Sequence, residues 1–120
     1  MISIREFVHA NLVVRDVEAA RAFYGGLLGL AEVERPAGAG RDGVWYRLGA
    51  HELHISHEAE PRNADSTRHI ALLVDDVAAA RAELEREGYP IEAARPLPGI
   101  VRFFTRDPDG NRLELMQRQD

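Results

Sequence analysis

The sequence predicts an α+β fold in which two tandem βαβββ modules, related by a pseudo-two-fold axis, form a curled sheet around a central cleft. Residues 9–24 recur sixty positions later, both halves show the same order of strand and helix periods, and metal-capable side chains fall on equivalent positions. The identical pairs of the repeat are 9/69, 12/72, 14/74, 16/76, 17/77, 19/79, 20/80, 21/81 and 22/82. We therefore expect a single domain, 1–120, made of two repeats, about 5–57 and 68–118, joined by a polar linker, 58–67.

The first repeat opens with a predicted strand at residues 5–14, in which an apolar face alternates with a face that carries polar groups. Asp16 is the predicted N-cap of a helix that runs to about Leu28, where Gly29 is a suitable stop. A glycine-rich loop is predicted at 36–43. The three strands that complete the repeat are predicted at 30–35, 44–48 and 51–57.

The second repeat follows the same order. A strand is predicted at 68–74, and Asp75 or Asp76 caps a helix that ends near Glu87, before Gly88. A short strand is predicted around Ile91. Two longer strands, 100–106 and 111–117, flank the strong turn signal at 107–110.

Composition excludes several classes of function. The net charge of −5 argues against a nucleic-acid-binding protein, which usually carries a basic face. Cysteine is absent and all fifteen basic residues are arginine, which excludes thiolate metal sites, a cysteine nucleophile and lysine Schiff-base chemistry. No apolar run is long enough to cross a membrane, and the N-terminal residues do not resemble a secretory signal. The expectation is a cytoplasmic protein with a small-molecule ligand.

Four polar side chains form two repeat-related pairs. His9 corresponds to His69 in the first strands, and His54 corresponds to Glu114 in the last strands. Each of them lies on the face opposite the apolar face of its strand, so the pattern predicts that all four point into the cleft. Three imidazoles and a carboxylate would make a divalent-metal site with room for water or substrate.

Structural roles remain the usual explanation for an isolated strand histidine. His51 and His57 belong to that class, because they lie on the helix-facing parity or at a strand end. Strand parity also suggests substrate contacts, and aromatic residues are available for stacking. The candidate substrate-contacting residues are Asn11, Trp45, Ser56, Phe103, Arg112 and Met116, with Phe104 as a further aromatic candidate.

The sequence resembles the vicinal oxygen chelate superfamily, which includes glyoxalase I, methylmalonyl-CoA epimerase, extradiol dioxygenases, fosfomycin-resistance enzymes and bleomycin-binding proteins. The resemblance covers essentially the whole chain. It is carried by HANLVVRD at 9–16, FY at 23–24, LGL at 28–30, HIALLVD at 69–75 and DPDGNRLEL at 107–115. It implies paired βαβββ modules and metal ligands at His9, His54, His69 and Glu114.

One position departs from the family pattern. Where this chain has His54, glyoxalase I-like members carry glutamate and epimerase-like members carry glutamine. A histidine at this position still binds metal, but it removes a carboxylate that would serve as a base. This departure disfavours a strict glyoxalase I activity.

Three functions compete at this stage. The leading hypothesis is a metal-dependent lyase or isomerase, with Glu114 as ligand and base and His54 as ligand or proton shuttle. The second is an extradiol dioxygenase with Fe(II) at His9, His69 and Glu114, assisted by His54 or by one of the tyrosines. The tyrosines considered are Tyr24, Tyr46 and Tyr89.

The third function is an antibiotic-binding resistance protein without catalysis, which the presence of a ligand set disfavours. For the enzymes, the expected cofactor is one divalent ion per site, chosen from Zn, Ni, Co, Fe(II) and Mn. A homodimer is expected because open sheet edges invite pairing. No nucleic-acid or membrane partner is expected.

Overall fold

The computed structural model describes residues 1–119 and divides the chain into two compact units, Met1–Pro61 and the remainder from Arg62. Each unit contains one four-stranded mixed sheet and one principal helix in the order βαβββ. The predicted α+β fold of tandem βαβββ modules is therefore confirmed. None of the helices within residues 1–119 has the length and hydropathy that a bilayer crossing requires.

The elements of the first unit are β1 His9–Val14, α1 Val17–Arg21, a π-helical turn Ala22–Leu27, β2 Glu32–Val33, β3 Gly43–Leu48 and β4 His51–His57. Its sheet order is β1-β4-β3-β2, with β1 parallel to β4 and the other pairs antiparallel. The elements of the second unit are a 3-10 turn Asn63–Asp65, β5 His69–Leu73, α2 Val77–Arg86, β6 Glu92–Ala93, β7 Ile100–Arg106 and β8 Arg112–Arg118. Its sheet repeats the topology as β5-β8-β7-β6.

Both principal helices begin at an aspartate cap. Asp16 Oδ1 accepts a hydrogen bond from the backbone N–H of Ala19 at 3.0 Å. Asp76 Oδ1 does the same for Ala79, also at 3.0 Å, which resolves the choice between Asp75 and Asp76. Each cap satisfies a backbone donor that the first helical turn leaves open.

One face of each sheet is apolar and packs against the helix of its own unit. In the first unit, α1 contacts β3 and β4, and in the second, α2 contacts β7 and β8. The buried apolar residues of the first unit are Val14, Val17, Ala20, Phe23, Tyr24, Val44, Tyr46, Leu53 and Ile55; those of the second include Leu72, Val77, Leu84, Phe103, Leu113 and Leu115. Burying each large apolar side chain contributes about 1.5–3 kcal/mol. This packing leaves the opposite face of each sheet for polar residues.

Several predicted boundaries were wrong. The first strand begins at His9 instead of residue 5, because its parallel pairing with β4 starts at His9 opposite Glu52. Phe7 and Val8 are consequently 57% and 64% exposed. The strand predicted at 30–35 shortens to two residues, and the one expected around Ile91 forms at Glu92–Ala93.

The first helix has the predicted extent, but its second half is π-helical. This wide turn buries both Phe23 and Tyr24 against the sheet. It also brings Gly25 so close to Tyr46 that an added Cβ would lie 3.3 Å from the tyrosine oxygen. Gly29, at φ 72°, then ends the helix as predicted.

Candidate metal centre and adjoining cavity

The polar face of the first sheet gathers the two ligands predicted for this unit. β1 and β4 pair in parallel, with His9 opposite Glu52 and Asn11 opposite His54. β3 places Trp45 opposite His54 from the other side. Since β4 is flanked by strands on both sides, His54 is only 7% exposed despite its polarity.

The imidazole of His54 lies between two other rings. Trp45 stacks on it with ring centroids 3.6 Å apart and an interplanar angle of 3°. His9 stacks against it with centroids 4.0 Å apart and an angle of 20°. The His54 ring is therefore held in position by contacts with two aromatic neighbours.

A carboxylate completes this cluster. His54 Nε2 lies 2.9 Å from Glu52 Oε1, and Arg47 Nη2 lies 3.7 Å from the other carboxylate oxygen. The hydrogen bond with His54, followed by the charge of Arg47, lowers the pKa of Glu52 below its ordinary value. Because an ionised carboxylate only accepts hydrogen bonds, His54 Nε2 is the donor to Glu52 Oε1.

The stacked position of His54 does not allow it to share a metal ion with His9. A metal ion binds in the plane of each imidazole, about 2.0–2.1 Å from the nitrogen for zinc. Two nearly parallel ring planes 4.0 Å apart do not meet at such a distance. Turning one ring out of the stack would remove this obstacle.

A cavity of about 460 Å³ adjoins His54 within the first unit. It is lined by Asn11, Arg35, Ala39, Gly40, Arg41, Trp45, His54 and Ser56. Three of the predicted substrate-contacting residues, Asn11, Trp45 and Ser56, therefore lie at one cavity with a predicted ligand. Ser56 Oγ donates a hydrogen bond to Asn11 Oδ1 at 3.0 Å, and this bond joins β4 to β1 across the cavity wall.

The polar face of the second sheet brings together the other two predicted ligands. His69 Nε2 lies 3.2 Å from Glu114 Oε1, and Glu114 is 6% exposed. His69 Nδ1 lies 3.1 Å from the backbone carbonyl of Thr67, so Nδ1 carries a proton that it donates to that oxygen. In a neutral His69 the lone pair of Nε2 then faces a carboxylate oxygen, and only a proton or a metal ion between the two atoms makes this contact favourable.

Two arginines surround the carboxylate and its aromatic neighbour. Arg102 Nη1 lies 3.4 Å from Glu114 Oε1, on the same oxygen that faces His69. The guanidinium of Arg112 lies 3.6 Å from the centre of the Phe104 ring and pairs with Glu92 at 3.0 Å. Phe104 in turn contacts His69 edge to face, with centroids 5.0 Å apart.

Not every predicted substrate residue lies on a polar face. Phe103 pairs with Leu115 and is 3% exposed, so it belongs to the helix-facing core; this corrects its expected role. Phe104, which pairs with Glu114, takes the expected place. Arg112 and Met116 lie on the same face as Glu114, because alternate residues of β8 share a face.

Two of the tyrosines considered as acid–base groups also lie in the core. Tyr24 and Tyr46 are 0% and 1% exposed on the helix-facing side, and burial raises the pKa of Tyr46.

Sequence reasoning missed Glu52, Arg35 and Arg102. Strand parity would have identified Glu52, because it lies two residues from His54 in β4 and so shares its face. No feature of the sequence pattern distinguished Arg35 and Arg102 from the other arginines.

The four predicted ligands thus form two contacting pairs, one in each unit. Within residues 1–119, no cluster of three or more His, Cys, Asp or Glu side chains has the spacing of a complete metal site. The donor chemistry of the pairs suits a borderline divalent ion. The distance between His69 Nε2 and Glu114 Oε1 is that of two adjacent ligands, so this pair suits a shared ion, whereas the stacked rings of His9 and His54 do not share one in this arrangement.

Comparisons with known proteins agree with this architecture. The family model of the Glyoxalase/Bleomycin resistance protein/Dioxygenase superfamily matches residues 6–115. The uncharacterized protein YaeR of Escherichia coli (strain K12) is 30% identical over 98% of this chain and 100% of its own length.

Solved structures give the same result. A Bacillus anthracis protein described as belonging to the glyoxalase family has 30% identity and a TM-score of 0.87, over 99% of both chains. A lactoylglutathione lyase from Agrobacterium tumefaciens has 25% identity and a TM-score of 0.72, over 93% of this chain and 92% of its own. The chain therefore belongs to the Glyoxalase/Bleomycin resistance protein/Dioxygenase superfamily.

Proposed function

We propose that the protein is a metal-dependent lyase or isomerase of the glyoxalase type. Its substrate would be a small molecule that presents two adjacent oxygens to the metal. The proposed ligands are the two contacting pairs, His9 with His54 and His69 with Glu114. Members of this superfamily commonly bind a divalent metal, and the similarity to a lactoylglutathione lyase supports this class of reaction.

The contact between His69 and Glu114 carries the proposal. The backbone carbonyl of Thr67 fixes the proton of His69 on Nδ1, which directs the Nε2 lone pair at Glu114 Oε1, 3.2 Å away. A backbone carbonyl that orients a ligating histidine is a common feature of metal sites. The repeat-equivalent positions in the first unit, His9 and His54, also carry residues able to bind metal.

The roles of the side chains follow from their contacts. When bound, the metal ion would polarise the adjacent oxygens of the substrate and so make its neighbouring C–H bond more acidic. Glu114 would accept that proton: His69 and Arg102 both contact Oε1, which leaves Oε2 for proton transfer. General-base catalysis of this kind contributes about 10²–10⁴-fold to the rate. His54 is the proposed ligand or proton shuttle of the first unit, where it lines the cavity that we expect the substrate to enter.

The oxygenase alternative gains less support. It requires an acid–base group beside the open metal positions, whereas Tyr24 and Tyr46 are buried in the core between the helix and the first sheet. His54 then remains as the candidate group on the polar face of that unit. The lyase or isomerase proposal needs no tyrosine.

We further propose a cytoplasmic homodimer. β1 and β5 are edge strands, and exposed apolar side chains lie in or next to them, notably Val8 at 64% and Leu73 at 60%. Unpaired edges of this kind favour association. Sedimentation should show a dimer at micromolar concentration, and a clean monomer at high concentration would contradict this part of the proposal.

The test of function is metal identification followed by a small substrate panel. We expect the zinc-, nickel- or cobalt-loaded protein to isomerise a substrate with two adjacent oxygens, and the hemithioacetal of methylglyoxal and glutathione is one member of the panel. Glu114→Gln should retain part of the metal and lose activity. Oxygen uptake on a catechol without isomerase activity would overturn the proposal in favour of a dioxygenase. Stabilisation by bleomycin, without turnover and independent of metal, would instead indicate a binding protein.

A further inference from the structure

The cavity next to His54 has an unusual charge for this protein. The chain carries a net charge of −5, yet the cavity is lined by two guanidinium groups and, among the described residues, by no carboxylate. Its remaining polar lining consists of Asn11, Ser56 and His54. A volume of about 460 Å³ is in the range of small-molecule sites.

Of the two arginines that line the cavity, Arg35 is the one that forms no ion pair with a carboxylate among residues 1–119. Its Nη2 donates to the backbone carbonyl of Arg41, which is neutral. Its Nε is buried and has no hydrogen-bond partner among residues 1–119, and no carboxylate there forms an ion pair with it. Burying a guanidinium donor without a partner costs free energy, so such a group is expected to have a function or an absent partner.

Arg41 adds a second positive charge to the lining of the cavity. Its Nη1 pairs with Glu58 at 3.4 Å, but both side chains are more than two-fifths exposed, so solvent screens this pair. Arg35 and Trp45 line the same cavity, and Trp45 pairs in the sheet with Val33, two residues before Arg35. The cavity therefore combines a guanidinium group with an aromatic wall.

The neutral groups complete the set of donors. Asn11 Oδ1 accepts the hydroxyl proton of Ser56, which orients the amide and leaves the Nδ2 donors for a ligand. The guanidinium groups and the Asn11 amide offer hydrogen-bond donors. An anionic oxygen accepts hydrogen bonds and does not donate them, so it is the matching partner. Charge-assisted bonds of guanidinium to carboxylate or phosphate are among the strongest that side chains form.

We propose that this cavity binds the anionic group of a small molecule, a carboxylate, phosphate or phosphonate, with Arg35 as its principal counter-charge and Asn11 as a neutral donor. Because His54 lines the same cavity, the inference extends the proposed function: the substrate carries a negative charge as well as its adjacent oxygens. The anion site itself needs no metal.

The test uses Trp45, which is the sole tryptophan of the chain and lines the cavity. Its emission is followed during titration with benzoate, phenyl phosphate and the neutral amide benzamide, all in the presence of EDTA. We expect both anions to change the emission saturably and to bind at least about tenfold more tightly than benzamide. The tighter of the two anions identifies the preferred group.

Two substitutions assign the binding to Arg35. Arg35→Gln should weaken both anions at least about tenfold and leave benzamide unchanged, while Arg35→Lys should restore part of the affinity. Arg15→Gln is the matched control, since Arg15 is an exposed arginine of the same unit that contacts the carbonyl of Ala59. Circular dichroism checks that each variant folds.

Equal binding of benzoate and benzamide would overturn the inference, as would unchanged anion affinity in Arg35→Gln. Anion binding that appears only after zinc replaces EDTA would place the anion on the metal and would also overturn it. The proposed metal function fails separately, when zinc titration detects no site. Anion binding in EDTA would then leave the inference on the cavity standing.

Discussion

The indole ring of Trp45 lies parallel to the imidazole of His54, with centroids 3.6 Å apart. His9 occupies the other side of the imidazole at 4.0 Å. The sole tryptophan is thus in direct contact with a proposed metal ligand that must leave its stacked position to share an ion with His9. A movement of the His54 ring should therefore be detectable in the fluorescence emission of Trp45.

Zinc binding should therefore change the emission of Trp45 toward that of a His54→Ala variant, which lacks the stacking partner altogether. Zinc suits the measurement because it is d¹⁰ and redox-inactive. His57→Ala, at the exposed end of the same strand, is the control and should behave as the wild type. Zinc binding detected by calorimetry, with an unchanged Trp45 emission, would show that the ring does not turn.

Glu52→Gln should loosen the His54 ring, because it replaces a charge-assisted hydrogen bond by a weaker neutral one. We expect the emission of Trp45 to move part of the way toward that of His54→Ala without any metal. Glu58→Gln removes the same charge from another position of the first unit and should leave the emission unchanged. Equal spectra for wild type and Glu52→Gln would contradict the role assigned to Glu52.

The lowered pKa of Glu52 gives this bond a pH dependence. A carboxyl whose pKa is lower in the folded state stabilises the fold above its ordinary pKa, and the contribution is lost as pH falls through the folded-state value. The unfolding free energy of the wild type should exceed that of Glu52→Gln at pH 7, and the difference should vanish in acid. Chemical denaturation of both proteins between pH 7 and about pH 3 measures this trend.

Arg102→Met should raise the affinity for zinc. Arg102 lies 3.4 Å from Glu114 Oε1, the oxygen proposed as ligand, so its positive charge opposes a cation there. We expect an increase of about tenfold, in keeping with one partly screened charge at this distance. Arg81→Met, in α2 and paired with Glu85, controls for the change in net charge. Weaker zinc binding in Arg102→Met would mean that Arg102 mainly orients Glu114.

Tyr46→Phe should stabilise the protein. The hydroxyl of Tyr46 is buried without a hydrogen-bond partner among residues 1–119, and an unsatisfied buried group costs about 1–3 kcal/mol. Burial also raises the pKa of Tyr46. Above the ordinary tyrosine pKa of 10.0 the unfolded state loses its proton first, so the wild type should lose stability that Tyr46→Phe keeps. A less stable variant in denaturant titrations at pH 8 would refute this assignment.

Much of the fold was predictable because both halves of the sequence show the same order of strand and helix patterns. The aspartate caps, the glycine stops and the turn at 107–110 are local signals, and the structure confirms each. Strand ends depended on non-local pairing: β1 begins only where β4 offers a partner, although residues 5–8 alternate like a strand. The π-helical turn depends on the packing of Phe23 and Tyr24, which the sequence pattern does not specify.

The candidate site was predictable to the level of strand parity. Alternation placed His9, His54, His69 and Glu114 on polar faces, and the register of each sheet brings them into pairs. The same alternation separates Phe103 from Phe104, so the misassigned Phe103 was avoidable. The stacking of the rings and the place of Arg35 in the cavity could not be predicted from the sequence. Strand alternation specifies which face a residue occupies, but neither the orientation of its side chain nor the position of a loop.

The central claim is that His9, His54, His69 and Glu114 are metal ligands. Calorimetric zinc titration of the wild type and of the double variant His9→Ala/His69→Ala tests it most directly. We predict that the wild type binds zinc, and that the affinity falls at least about a hundredfold when one imidazole of each pair is removed. Absence of zinc binding by the wild type, or equal binding by the double variant, would contradict the account.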